Sequence, residues 1–266
     1  MKRRPWTSRI LPTYTGLVIA YLFLPILVMI AFGFNATTSK LNNTWQGLTF
    51  KWYRNLLDIP DLTNALRNSL TIAALSATIA TVLGTMIGMS LARNRFRGKA
   101  SVDLLLFANI AAPEIVLGSA LLSLFITIGI PRGYLTILIA HVMFNIAFVA
   151  VTVRARLAGF DESVVEAARD LGAGPLTAFR TVTLPLIYPG ILAGALLAFA
   201  LSIDDYIITS FNAGQTLTFP LWVFGASRVG VPPQVNVMGT IIFAVGVSAA
   251  LANVFALGRS RGSRAG

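Results

Sequence analysis

The sequence contains no cysteine and a single histidine, His141. Disulfides, thiolate metal sites and a histidine-built metal centre are thereby excluded. Charge is scarce too: 12% of the residues are charged, against about 25% in ordinary soluble domains. The chain has no glycine-rich phosphate loop with its lysine, and no clustered nucleophile, base or metal ligands that would mark an enzyme. What fills it instead is apolar: 56% of 266 residues. A soluble fold of this length could not hide so much apolar surface, so the bilayer is the expected solvent.

Six apolar segments are long enough to cross about 30 Å of hydrocarbon. They lie at about 14–34, 69–92, 104–128, 134–153, 186–211 and 235–257. The expected fold is an all-α integral membrane protein, one transmembrane domain over residues 1–266. The first run follows a basic start, as a signal peptide would. It ends in Phe-Gly-Phe-Asn rather than a small-x-small cleavage site, so it is expected to be a retained helix.

The formal net charge is +11, and its placement matters more than its size. One side collects Lys2, Arg3, Arg4 and Arg9, then Arg93, Arg95, Arg97 and Lys99, then Arg154, Arg156, Arg169 and Arg180, and finally Arg259, Arg261 and Arg264. The other holds only Lys40, Lys51, Arg54, Arg67, Arg132 and Arg228. The positive-inside rule then predicts that both termini are cytoplasmic. These cations flank helix ends, where they meet anionic headgroups. Membrane lipid, not nucleic acid, is the expected partner. Outside, Gly129, Pro131 and Gly133 predict a tight hairpin, and Trp45, Trp52 and Tyr53 in the 35–68 segment read as an interfacial belt.

The long connection between spans four and five reads DESVVEAARDLGAGPLTAFRTVTLP over residues 161–185. Asp161 or Ser163 can cap a short helix whose first turns carry Glu162 and Glu166. Val164, Val165, Ala168 and Leu171 give it an apolar face. Gly172-Ala173-Gly174-Pro175 breaks it, and Pro175 opens a second short helix to about Thr181. By periodicity alone this is an interfacial connector. The spacing adds more: Glu166-Ala167-Ala168, three residues, Gly172, nine residues, Val182, one residue, Leu184-Pro185. It resembles the signature loop of ABC-importer permeases, with Val182 in place of isoleucine. The resemblance implies a type I importer permease whose coupling helix docks on an ATP-binding subunit. It implies that Glu166, Ala167, Ala168, Leu171 and Gly172 lie at that contact. Small alanines let a partner approach, and glycine permits the sharp turn.

Other stretches are similar to the spermidine/putrescine branch, and in particular to the second of its two permeases. They are Asn43–Thr49, Lys51-Trp52-Tyr53, Phe96–Lys99, Leu201–Asp205 and Phe219–Phe224 with Arg228–Val231. The resemblance implies a second permease subunit, an ATPase dimer that holds ATP and magnesium, and an extracytoplasmic solute-binding protein. The chain itself would need no cofactor and would sit in a prokaryotic inner membrane. Permeases for other organic cations or amino-acid-like solutes share these secondary motifs. A secondary transporter is the rival of another class, and it leaves the loop unexplained.

Three acids interrupt the spans: Glu114, Asp204 and Asp205. An acid inside a membrane is costly and so marks a functional candidate. Counted along a straight helix at about 1.5 Å per residue, Glu114 falls roughly 15 Å into span three, near the midplane. Pro113 before it loosens that turn. Asp204 and Asp205 diverge by about 100° on span five, so one can line a pathway while the other pairs or turns outward. Tyr206 and Trp222, with Phe199 and Phe211, offer cation–π faces for a polycation. A structural role, capping or pairing with the partner permease, as Arg228 or Asn145 would allow, is the alternative for the acids. His141 and Asn145, one turn apart, are expected to satisfy interhelical hydrogen bonds. The stripes Gly190, Gly194, Ala198, Ser202 and Gly84, Gly88, Ala92 predict close helix contacts, with another span or with a second permease.

Overall fold

The computed structural model describes residues 7–39 and 41–262. Lys2, Arg3, Arg4, Lys40 and Arg264, used above for orientation, lie outside them. Among the described residues the chain is helical, with no strand beyond one bridge between Asn35 and Leu48. Four runs are long and apolar enough to cross a membrane singly. They are α1 (Thr7–Phe32), α3 (Pro60–Arg93), α6 (Tyr134–Leu157) and the continuous run Pro175–Ile203. A further apolar stretch, long enough only as a pair, is divided between α4 (Lys99–Ala111) and α5 (Glu114–Thr127), which bend by 110°. The last helix, α12 (Pro233–Gly262), carries a shorter apolar stretch over Pro233–Ala249. Between them lie α2 (Lys51–Arg54), α7 (Ser163–Asp170), α8 (Pro175–Ala178), α9 (Leu184–Ile203), α10 (Ile207–Asn212) and α11 (Phe219–Ala226).

Three expectations need correction. The segment 104–128 is not one helix. Ala112 is extended, at φ −69° and ψ 136°, because a residue before proline is sterically disfavoured in the α region. Pro113 therefore ends α4 instead of loosening it, and the straight-helix depth of Glu114 no longer applies. The segment 186–211 is also interrupted: α9 stops at Ile203, and α10 begins at Ile207. Conversely, the second short helix does not end at about Thr181 but runs on through Pro185. A π turn over Phe179–Thr183 joins α8 to α9, and such a wide turn accommodates the N–H that proline lacks.

The chain forms two compact units, Asp61–Trp222 and the remainder. In the second of these, α1 lies against α12: Phe23 meets Phe243 edge-on, and Gly239 faces the Met29 sulfur. The segment after α1 folds around Asn35, which is 0% exposed. Its Nδ2 donates to Asn42 Oδ1 at 2.8 Å and to the Thr44 carbonyl at 2.7 Å, and its Oδ1 accepts from Gln46 N at 2.7 Å. Trp52 Nε1 donates to the Asn35 carbonyl at 2.7 Å, and Tyr53 stacks on Phe34. Trp52 and Tyr53 thus brace a folded loop beyond any belt role, whereas Trp45 is exposed.

In the larger unit α6 is clasped by glycine faces. A Cβ on Gly84 would fall 2.7 Å from Val149 Cβ, and one on Gly88 would fall 2.6 Å from the Ala150 carbonyl oxygen. From α9, Gly190 abuts Arg156, and Gly194 abuts Val149. Both small-residue stripes therefore have the same partner, and it is within this chain. Ala77, Ala80, Val149, Val153, Ile187 and Ala198 close the contact. At the hairpin, Gly129 (φ +72°) ends α5: its N–H bonds the Ile126 carbonyl, and that of Ile130 bonds the Phe125 carbonyl.

Candidate functional site

Two places collect the residues singled out above. The first is the loop around α7. Asp161 Oδ1 accepts from Ser163 N at 3.0 Å, and hydrogen bonds from Ser163 hold this carboxyl below its ordinary range. At the other end Gly172, at φ +90°, lets its own N–H bond the Arg169 carbonyl and that of Ala173 bond the Ala168 carbonyl. The helix rests on α8 and the π turn. Val165 and Ala168 are half-buried, but Glu166 and Ala167 are exposed. Leu171 is 89% exposed and Leu176 60%. The expected apolar face is thus divided: part rests on the chain itself, and the Leu171 side covers nothing. A cleft of about 340 Å³, lined by Arg156, Phe160, Asp161 and Val164 among others, lies beside the start of α7.

Arg93, at the end of α3, ties this loop to the unit. Both terminal nitrogens donate to Thr183 Oγ1 at 3.4 Å. Its Nε lies 3.9 Å from Glu162 Oε1, and the guanidinium sits 4.9 Å from the Phe160 ring centre. Sequence reasoning counted Arg93 only as a topological charge. Its three partners are more than sixty residues away in sequence, so no local pattern could disclose them.

The second place is the interruption between α9 and α10. Asp205 precedes α10 and acts as its cap. Its carboxylate accepts from Thr209 N at 2.7 Å, Thr209 Oγ1 at 2.6 Å and Ile208 N at 3.3 Å. His141 Nε2 lies 3.2 Å from the same carboxylate and 2.9 Å from Thr209 Oγ1. On the other side of the ring, Nδ1 lies 2.6 Å from Ser202 Oγ, which also accepts from Ser76 Oγ at 3.0 Å. Only 5% of the Asp205 side chain is exposed and 3% of His141's. His141 does satisfy interhelical hydrogen bonds, as expected. Asn145 does not: it is fully buried, and neither amide atom has a partner.

The remaining acids differ. Asp204 is exposed, with no ion pair among the described residues. Glu114 is the first residue of α5 and is exposed. Its helix lies along α10: Gly118 faces the Phe211 ring, and Asn212 Nδ2 donates to the Gly118 carbonyl at 3.4 Å. Glu114 and Asp205 therefore both stand where a helix begins, and there free N–H groups and the macrodipole favour an anion. Tyr206 is half-buried within the interruption. Trp222, half-buried on α11, is joined to none of the acids by a hydrogen bond or ion pair. Arg228 lies over the Phe224 ring at 5.1 Å.

Residues 80–258 match the family of binding-protein-dependent transport system inner membrane components. The chain is 41% identical over 237 residues to the spermidine/putrescine transport system permease protein PotC of Escherichia coli strain K12, covering 89% of each. It is 43% identical over 254 residues to the putrescine transport system permease protein PotI of the same strain, covering 92% of this chain and 88% of that one. Among solved structures, a bacterial ABC transporter that imports the acidic polysaccharide alginate gives a TM-score of 0.64 at 17% identity, over 97% of this chain and 99% of the other. The MetNI methionine ABC transporter gives 0.61 at 17% identity, over 73% and 93%. The structural likeness speaks for the fold alone, that of a type I ABC-importer permease. With the loop exposed at its expected spacing, this fold in place and the family model matched over residues 80–258, the chain belongs to the binding-protein-dependent transport system inner membrane components.

Proposed function

We propose that this chain is the permease subunit of an ATP-driven importer that carries a polyamine, spermidine or putrescine, across the inner membrane. The observation that carries the reading is the identity above 40% to polyamine permeases over about nine-tenths of both chains. The α7 face lies in the cytoplasm, with both termini. Glu166, Ala167, Ala168, Leu171 and Gly172 meet an ATPase subunit there, whose partner copy binds a second permease chain. ATP and magnesium belong to those subunits. A solute-binding protein delivers cargo on the opposite face. Closure of the ATPases presses the loops together, and the helices rock between inward- and outward-facing states. Of the three acids singled out in the sequence, Glu114 and Asp204 offset the lost hydration of the cation, with Tyr206 and Trp222 as aromatic faces, whereas the buried Asp205 holds the interruption together.

Support for the ATPase contact comes from Leu171 and Leu176, which lie exposed in the same short segment as Glu166; Glu162 and Thr183, which flank that segment, meet Arg93. Copurification with an ATP-hydrolysing subunit should be lost in Glu166→Arg while the chain still inserts. Association that survives this change overturns the loop assignment. Uptake of labelled putrescine and spermidine should fall in Glu114→Gln and Asp204→Asn. Unchanged uptake of both cargoes in these variants would remove the acids from the pathway.

A further inference from the structure

His141 touches both sides of the interrupted fifth span. Nδ1 meets Ser202, the penultimate residue of α9, and Nε2 meets Asp205 and Thr209 beyond the break. The hydrogens can be placed without conflict. Asp205 as a carboxylate only accepts. Thr209 Oγ–H donates to it, and His141 Nε2–H donates to Thr209 or to Asp205. Nδ1 is then bare and accepts from Ser202 Oγ–H, whose oxygen accepts from Ser76 Oγ–H. With the Nε2–H tautomer the contacts form a one-directional chain from α3 toward Asp205. The carboxylate accepts three hydrogen bonds from α10, from Ile208 N, Thr209 N and Thr209 Oγ, and faces His141 Nε2 at 3.2 Å. It needs no cation from outside the protein. Asp204, one residue earlier, has none of these partners.

We infer that His141 is a positioning residue that clasps α9 to α10, fixes Asp205 as an internal cap and leaves Asp204 as the acid presented to a cation. This divides two adjacent carboxylates into a structural one and a cargo-facing one, and it rests on the importer reading only in its last step. This chain has no cysteine, so in the assembled importer in membrane vesicles a label found on this subunit reports the residue placed there. Single cysteines are placed at 204 and 205, and their reaction with a charged, membrane-impermeant thiol reagent is followed. Asp204→Cys should react, and Asp205→Cys should react no faster than the cysteine-free parent. Since Asp205→Cys itself removes the cap, a second measurement uses Ser210→Cys, on the exposed side of α10. Its reaction rate should change with His141→Ala and return toward the parent value with His141→Gln, whose amide keeps a donor for Thr209. In uptake, His141→Ala should lower maximal rate with little change in apparent KM, whereas Asp204→Asn should raise KM. Labelling of residue 205 as fast as 204, or a Ser210→Cys rate indifferent to His141, overturns the clasp. If labelling agrees but no polyamine competes with the reagent at 204, the clasp stands and the cargo reading fails.

Discussion

The α7 loop and the α9–α10 interruption are built on opposite plans. The loop leaves Leu171 and Leu176 exposed, although its own ends are closed by Asp161 and Gly172. Its local structure is complete, but its apolar surface is not covered. The interruption buries its charge and saturates it, with donors from α6, α9 and α10 gathered on His141 and Asp205. An uncovered apolar edge on a rigid element is what a docking surface requires. A carboxylate that already accepts three hydrogen bonds and faces His141 has little left to offer a ligand. The contrast separates an apolar edge that this chain leaves uncovered from a charge that it satisfies itself.

Variants can break this contrast. The largest effect is expected for Leu171→Arg. It should weaken ATPase association by about 2 kcal/mol or more, roughly thirty-fold, with thermal stability of the permease unchanged. A fall in stability instead would place Leu171 in the fold. Next, Gly84→Leu forces a side chain into Val149 and should destabilise the larger unit by about 1–3 kcal/mol, read as a lower unfolding temperature in detergent. Thr209→Val removes the hydroxyl between His141 and Asp205. A cost of about 1–2 kcal/mol is expected, with ATPase association intact. Loss of association in that variant would erase the contrast from the other side.

The smallest effect concerns Asp161. Its carboxyl is held below its ordinary range by Ser163, so its stabilisation of the start of α7 is present above the unfolded pKa and is lost as pH falls through the folded one. Exchange of the Ser163 amide, compared at matched pH with Asp161→Ala, should show protection near neutrality that disappears in acid. Protection that persists in acid would assign it to the helix alone.

Much of the loop was legible in the sequence because its signals are local. A capping acid, an apolar set at helical spacing and a glycine at the left-handed turn all fall within one short stretch. The glycine stripes were legible for the same reason, although only packing revealed that both grip α6. The interruptions were less legible. Hydropathy averages over a window, and Ala112-Pro113 and Asp204–Tyr206 are too short to lower it. The steric effect of Pro113 on Ala112 was available in the sequence, as was the capping relation of Asp205 to the residues that follow. Both were overruled by the assumption that an apolar run is one helix. The Asn35 hub, the Arg93 tie and the His141 clasp had no comparable signal.

By itself the sequence determined the solvent, the helical class and the loop spacing, because composition, periodicity and turn chemistry act over a few residues. Tertiary structure alone decided which of two neighbouring aspartates is buried. That choice depends on His141, Ser202 and Ser76, distant in sequence and brought together when glycine faces let α3 and α9 close on α6. Hydrogen bonds reach only about 3 Å, so their donors count only once packing has delivered them.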